Sequence, residues 1–190
     1  FNEEKITNKI NSICFIGSWT IRKGIKDFDH ILTNIRKRTT IKSFFLLGGF
    51  YSEEYVKTDF GITNHDILKI VPTFKPEELP TYVTTCKVGL FPSYVEGFGL
   101  AVVEQLACGI PVVAYNVPGP MDILKELDET LLIEPGNKEA FAEKVVEILK
   151  LDETKYSELS ERCRQVSRKY LLSIISKKFL DAYSLILDHD

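Results

Sequence analysis

The sequence predicts one α/β domain, a doubly wound parallel sheet with helices on both faces. Three observations carry this. Short β-rich runs alternate with segments whose apolar residues recur at three-four spacing, and strands separated by helices pair in parallel through right-handed crossovers. The 190 residues are a one-domain length, ample for a sizeable core. No repeat and no low-complexity linker interrupts the alternation. A single domain is therefore expected over 1–190.

Ser12–Ile16 is a short β-rich run ending at Gly17, and Ile25, Phe28, Ile31, Leu32 and Ile35 follow as a helical stripe. Phe44–Leu47 reads as a strand stopped by Gly48-Gly49. The poorly periodic segment Phe50–Ile62 reads as a loop with a short helix, and Ile67–Val71 as another strand. Leu79, Tyr82, Val83 and Cys86 mark a helix whose first turn Pro76 and Pro80 make irregular. The apolar run Val88–Phe91 ends at Pro92-Ser93. Leu100–Cys108 is a helix stopped by Gly109 and Pro111, Val112–Tyr115 a short buried strand, and Thr130–Ile133 a final strand. Phe141, Val145, Ile148 and Leu149 mark a helix, as do Tyr156, Leu159, Cys163, Val166 and Tyr170. Ile175, Phe179, Tyr183 and Ile186 mark a terminal one.

The stretch from Phe91 to Asp122 carries the chemistry. In its helix, Leu100, Ala101, Val102, Val103, Leu106 and Ala107 go all round the wheel, leaving Glu104 and Gln105 as the polar side chains. A helix apolar on every side is buried, and a buried carboxylate is costly unless paired. No cation lies within helical reach of Glu104. Its partner must come from elsewhere in the fold or from a ligand, and vicinal hydroxyls fit because one carboxylate accepts two hydrogen bonds. Gly97 and Gly99 allow a close backbone approach just ahead of this helix, whose first-turn N–H groups suit a phosphate. Glu96 precedes Glu104 by eight positions on the rim of that loop. An oxyanion cradle flanked by two carboxylates is suited to a nucleoside diphosphate sugar. Ligands of such sheets bind outside the carboxyl ends of the strands. That places Arg22 and Lys23, in the loop Gly17–Gly24, on the ligand side; the plainer alternative is two solvated cations before a helix.

The run Glu96-Gly-Phe-Gly-Leu-Ala-Val-Val-Glu104, preceded by Phe-Pro-Ser and followed by Cys-Gly-Ile-Pro-Val-Val-Ala, resembles the E-x7-E motif of retaining glycosyltransferases, especially family 4. The resemblance covers most of the chain. It implies one half of a GT-B fold, the C-terminal Rossmann-like domain that holds the donor nucleotide-sugar. Glu104 matches the glutamate that binds the ribose hydroxyls, and Glu96 the one beside the donor sugar and reacting centre. Phe98, Gly99 and Leu100, with Gly97 before them, match the backbone segment whose amides contact the donor. Gly17–Gly24 is similar to the family's glycine-arginine…lysine-glycine segment. There Lys23 falls on the lysine, Gly17 on the glycine and Ser18 on the arginine, with Arg22 the candidate to replace it. Gly119-Pro120-Met121-Asp122 lies where the family has two glycines and a glutamate; Pro118–Pro120 equally reads as a rigid turn starting a helix.

From the resemblance, Glu96 and Lys23 are the expected catalytic residues, with Lys23 and the helix N-terminus stabilising the departing diphosphate and no metal or other cofactor needed. The acceptor is expected to be a saccharide or lipid-linked saccharide. The acceptor site is expected on an N-terminal domain outside this chain, which begins at Phe1 without an initiator Met and reads as a piece of something longer. The terminal helix, about 173–190, is expected to cross to that domain, leaving its apolar stripe partly unsatisfied here. Two alternatives compete: a non-catalytic nucleotide-sugar-binding module working through a partner chain, and a GT-B-like sugar-nucleotide epimerase.

The remaining signals exclude other classes. A formal net charge of −3 with interspersed signs gives no footprint for nucleic acid. Cys14, Cys86, Cys108 and Cys163 are far apart and read as reduced core thiols of a cytoplasmic protein, peripheral to the inner face of a membrane only through the other domain. No apolar stretch approaches spanning length, and no signal peptide is expected. Asp27-Phe28-Asp29 spells a metal-binding triplet of another glycosyltransferase fold but falls in an amphipathic helix, and reads as a solvated face. His30, His65 and His189 lack ligand spacing. There is no G-x-G-x-x-G after the first strand and no G-x-S-x-G elbow. Trp19 and Phe74 are candidates to flank a base, or simply local packing.

Overall fold

The computed structural model describes residues 10–60, 65–83 and 85–187. The strands are β1 (Ser12–Ile16), β2 (Ser43–Leu47), β3 (Leu68–Val71), β4 (Cys86–Phe91), β5 (Val112–Tyr115) and β6 (Leu132–Ile133). They interleave with α1 (Phe28–Arg36), α2 (Glu53–Phe60), α3 (Leu79–Val83), α4 (Leu100–Ala107) and α5 (Pro120–Leu124), and α6 (Lys138–Leu149), α7 (Glu153–Arg168) and α8 (Leu172–Leu187) follow. Every strand pair is parallel, in the order β3-β2-β1-β4-β5-β6. The chain runs outward from β1 to β3, then returns to the other side of β1, so the switch point of this doubly wound sheet lies between β1 and β4.

β1 is buried along its whole length because it sits centrally and is covered on both faces. Its side chains alternate. Ile13 and Phe15 face α1, where the Phe28 ring meets Phe15 edge-on at 5.0 Å and Phe44 at 5.3 Å. Cys14 and Ile16 join Leu79, Val83, Cys108 and Ile110 on the opposite face. The stripe Phe28, Ile31, Leu32, Ile35 is fully buried, and taking the Phe28 ring out of water contributes about 2–3 kcal/mol. Helix α1 packs on α6, and α4 on α7. Trp19 belongs to this core: it stacks on Phe28 and Phe60, and its Nε1 donates to Asp59 Oδ2 at 2.9 Å. Phe74 lies edge-on to Tyr82. Both aromatics are thus engaged in local packing.

The polar Gln105 of α4 is fully buried and satisfied. Its Nε2 donates to the Ala101 carbonyl at 2.8 Å and its Oε1 lies 3.4 Å from Cys14 Sγ. That position demands a glycine on β4, since a Cβ at Gly89 would lie 2.0 Å from Oε1.

Several boundaries differ from the sequence reading. Cys86 opens β4 rather than closing α3, because Leu79–Val83 packs as little more than one turn before the strand begins. Ile67 ends a 3-10 turn, and Glu129–Leu131 forms another, capped by the Asp128 carboxylate on the Thr130 N–H, so β6 is two residues long. The 61–62 end of the segment Phe50–Ile62, the side chain of Ile186, and His189 lie outside the described residues. The four cysteines are buried thiols. His30 sits on the surface of α1 with its Nε2 against Glu139 of α6. The terminal helix α8 leaves Leu172, Phe179, Leu180 and Tyr183 more than 60% exposed. Among the described residues, no helix is long and apolar enough to cross a membrane.

The fold turns on one close approach. Gly24, at φ +73°, lies against the Pro92 carbonyl, and a Cβ there would sit 1.9 Å from that oxygen. Gly24→Ala is expected to cost about 3 kcal/mol or more in urea denaturation, combining left-handed strain with overpacking. Gly97→Ala, which meets nothing within 4 Å, should stay within about 0.5 kcal/mol of the parent. Equal midpoints for the two variants would show that the loops after β1 and β4 do not meet as described.

Candidate functional site

Two loops build the site at the carboxyl ends of β1 and β4. After β1 the Gly17 N–H donates to the Leu47 carbonyl at 2.9 Å, and the chain then forms two 3-10 turns, Ile21–Lys23 and Ile25–Asp27, joined at Gly24. After β4, Pro92-Ser93 leads into the glycine loop, whose Tyr94 N–H donates to the Arg22 carbonyl at 2.8 Å. This seam brings Lys23 and Glu96 together as an ion pair with their side chains 11% and 9% exposed. Lys23 Nζ also lies 5.0 Å from the centroid of Phe91, a cation–π contact. A Cβ at Gly17 would lie in ordinary contact with Lys23 Cε at 3.7 Å and tighter against the Phe15 ring at 3.3 Å. Ser18 is half-buried on the same loop, whereas Arg22 is exposed. Glu96 is therefore not a solvated loop residue, and Lys23 is not a solvated cation.

The glycine loop ends in α4. Gly99 takes φ +90° as the N-cap residue, and the N–H groups of Val102 and Val103 return to its carbonyl at 2.8 and 3.4 Å. Leu100 and Ala101 precede them, in the first turn that has no acceptor within the helix. Gly97 faces open space. On the other flank, Gly119 packs so closely on Phe98 that a Cβ there would lie 2.7 Å from the Phe98 carbonyl oxygen. Pro120 then opens α5, so Pro118–Pro120 is the rigid turn starting a helix.

Helix α4 is not buried all round. Leu100 is 61% exposed and Ala101, Glu104 and Ala107 are half-buried, which gives the helix a face turned outward. The sequence pattern overstated its burial because Leu100, Ala101 and Ala107 are apolar yet share this outward face with Glu104. Glu104 lies on that outward face. Among the described residues no cation pairs with it, and burial alone pushes its carboxyl above the usual range.

A third carboxylate, missed as a polar surface residue, lies beneath the seam. Asp27 is 6% exposed, so the solvated-face reading of Asp27-Phe28-Asp29 is overturned for its first member. Asp27 sits in the 3-10 turn before α1, where the chain bends it inward. Its Oδ2 accepts from the hydroxyls of Tyr94 and Tyr115, each at 2.7 Å, and its Oδ1 lies 3.4 Å from Lys138 Nζ. Burial, followed by the neighbouring Asp27 carboxylate, raises both tyrosine hydroxyls above the usual range. The available sequence signal was weak: a tyrosine two residues ahead of Glu96, and an aspartate four beyond Lys23. No group of three or more His, Cys, Asp or Glu side chains is gathered as a metal site among the described residues.

Residues 1–170 match the family described as Glycosyl transferases group 1. A sucrose synthase of Melioribacter roseus is 34% identical over 103 residues, covering 51% of this chain and 13% of that protein. An uncharacterized glycosyltransferase of Methanocaldococcus jannaschii is 27% identical over 173 residues, covering 89% and 47%. The chain thus spans about half, or less, of the length of these curated relatives. Among solved structures, a Staphylococcus aureus TarM mutant in complex with fondaparinux, alpha-GlcNAc-glycerol and UDP superposes with TM-score 0.78 at 19% identity, covering 95% of this chain and 37% of that one. The sucrose-phosphate synthase from Thermosynechococcus elongatus superposes with TM-score 0.75 at 21% identity, covering 98% and 51%. These superpositions show the Rossmann-like half of a GT-B fold. Taken with the match over nearly the whole described chain, they make this protein a member of the group 1 glycosyltransferase family.

Proposed function

We propose that this chain is the donor-binding half of a retaining glycosyltransferase, which moves a sugar from a nucleoside diphosphate sugar to an acceptor hydroxyl. One observation carries the reading. Lys23 and Glu96 pair at the β1/β4 switch point just ahead of the first turn of α4, and Glu104, one helical turn on, has no cation partner among the described residues. That two related structures hold UDP, TarM and the pneumococcal O-GlcNAc transferase GtfA, supports a donor of this class.

In this reading the diphosphate lies over the amides of Leu100 and Ala101, within reach of Lys23. The positive end of α4 adds to the lysine's charge. Glu104 accepts from both ribose hydroxyls, which supply the partners its half-buried carboxylate lacks. Glu96 anchors Lys23 and orients the donor sugar. As the anomeric C–O bond breaks, its electron pair leaves with the diphosphate, whose growing charge meets these fixed positive groups. The acceptor oxygen bonds to the anomeric carbon on the face the diphosphate leaves and gives its proton to the departing diphosphate oxygen. Arg22, exposed on the same loop, adds charge at the mouth where Ser18 replaces the family's arginine. The saccharide acceptor and the N-terminal half belong to the same proposal.

Two predictions test it. Lys23→Ala should weaken UDP about tenfold or more while leaving uridine nearly unchanged, as expected for a charge-assisted bond to phosphate. Equal losses in calorimetry would place Lys23 away from the phosphates. The second concerns Glu104, whose raised pKa favours the neutral form in the folded state. The associated stability is full at acid pH and is lost as pH rises through and above the ordinary glutamate range. Glu104→Gln should therefore melt no lower than the parent at pH 7, with the difference fading in acid, yet lose nucleotide affinity. Unchanged affinity would remove Glu104 from the site, and a lower melting temperature at pH 7 would reveal an internal partner for its carboxylate.

A further inference from the structure

We infer that Asp27 is a positioning residue for the donor site, acting through the hydroxyl of Tyr94; the inference rests on the reading just proposed. Asp27 lies four residues beyond Lys23, in the turn that follows Gly24. Both of its oxygens are engaged, Oδ2 by the two tyrosine hydroxyls at 2.7 Å and Oδ1 by Lys138 at 3.4 Å. A buried carboxylate held in this way is costly to disturb, so it fixes the groups that hold it.

Four segments meet at this one side chain: the loop after β1, the loop after β4, the end of β5 and the first turn of α6. Tyr94 is tied twice, by its N–H to the Arg22 carbonyl and by its hydroxyl to Asp27. The glycine loop departs from that anchor, carrying Glu96 two residues on to its pair with Lys23, and its backbone packs again where Phe98 meets Gly119. The anchor therefore sets where Glu96 stands against Lys23 and where the first turn of α4 presents its amides.

The fold supplies an internal control. Tyr115 donates to the same Asp27 oxygen at the same 2.7 Å, but from β5 rather than from the glycine loop. A merely structural role changes stability in both variants, more at the buried Tyr115 than at the exposed Tyr94, and nucleotide preference in neither, whereas a positioning role changes the preference through Tyr94 alone. In the full-length protein, Tyr94→Phe and Tyr115→Phe should both lower the melting temperature. Only Tyr94→Phe should reduce the preference for UDP over UMP in calorimetry, by about fivefold, the scale of one buried hydrogen bond. Where uridine nucleotides do not bind, GDP and GMP serve as the pair. An equal loss of preference in both variants, or in neither, overturns the inference. A parent protein that gains no affinity from the second phosphate overturns the donor-site reading itself, and this inference with it. Should either variant be unfolded at the temperature of measurement, the same comparison read as UDP- and UMP-induced melting shifts decides between the same outcomes.

Discussion

The contact of Gly24 with the Pro92 carbonyl is the constraint on which the site depends. At φ +73° and without a Cβ, Gly24 lets the turn after β1 lie directly on the chain leaving β4. Sheet order alone makes these two strands neighbours, yet adjacent strands commonly send their loops apart. Here the loops are sealed instead, and the Tyr94 N–H bond to Arg22 continues the seam. Lys23 and Glu96 then face each other across it. A buried ion pair contributes little net stability after desolvation, but it is costly to break, so its main effect is to hold two charges at a defined place.

Three carboxylates around this seam share one chemistry and differ by environment. Asp27 is buried and satisfied by two hydroxyls and an ammonium. Glu96 is nearly buried, its side chain 9% exposed, and matched by one lysine. Glu104 is half-buried with no cation among the described residues, and desolvation raises its pKa. The order runs from complete internal satisfaction to no cation partner among the described residues, as exposure rises from Asp27 to Glu104. Sites that bind ligands keep such unsatisfied polar groups where a partner can reach them. The neighbouring Val95, Phe98 and Leu100 are exposed apolar groups on the same rim, with the Phe98 ring edge-on to Tyr170 at 5.6 Å.

Much of the sheet was legible in the sequence because a doubly wound fold is built from local signals. The stripe Phe28, Ile31, Leu32, Ile35 and the runs Ser12–Ile16 and Val112–Tyr115 each carry their own periodicity, and each is an element of the structure, with Ile25 in the 3-10 turn before α1. Signals failed where an element is shorter than one period of its pattern. Leu79 to Cys86 keeps helical spacing across what is a turn of helix followed by a strand, and Thr130–Ile133 keeps strand character although half of it is a 3-10 turn. The outward face of α4 was misread for a related reason: an apolar composition does not tell whether a neighbour exists to cover it.

The sequence by itself determined the order of strands and helices, the glycine loop with its two glutamates, and the lysine before Gly24, since these depend on residue type and spacing along the chain. Tertiary structure alone decided which charges meet. Lys23 finds Glu96 across 73 positions, and Asp27 finds Tyr115 across 88. Such pairings depend on parallel strand order and on the close approach of two loops, and no local periodicity encodes either. The same cause turned Asp27 from an apparent surface residue into the buried anchor of the site, because burial is a property of everything packed around a side chain.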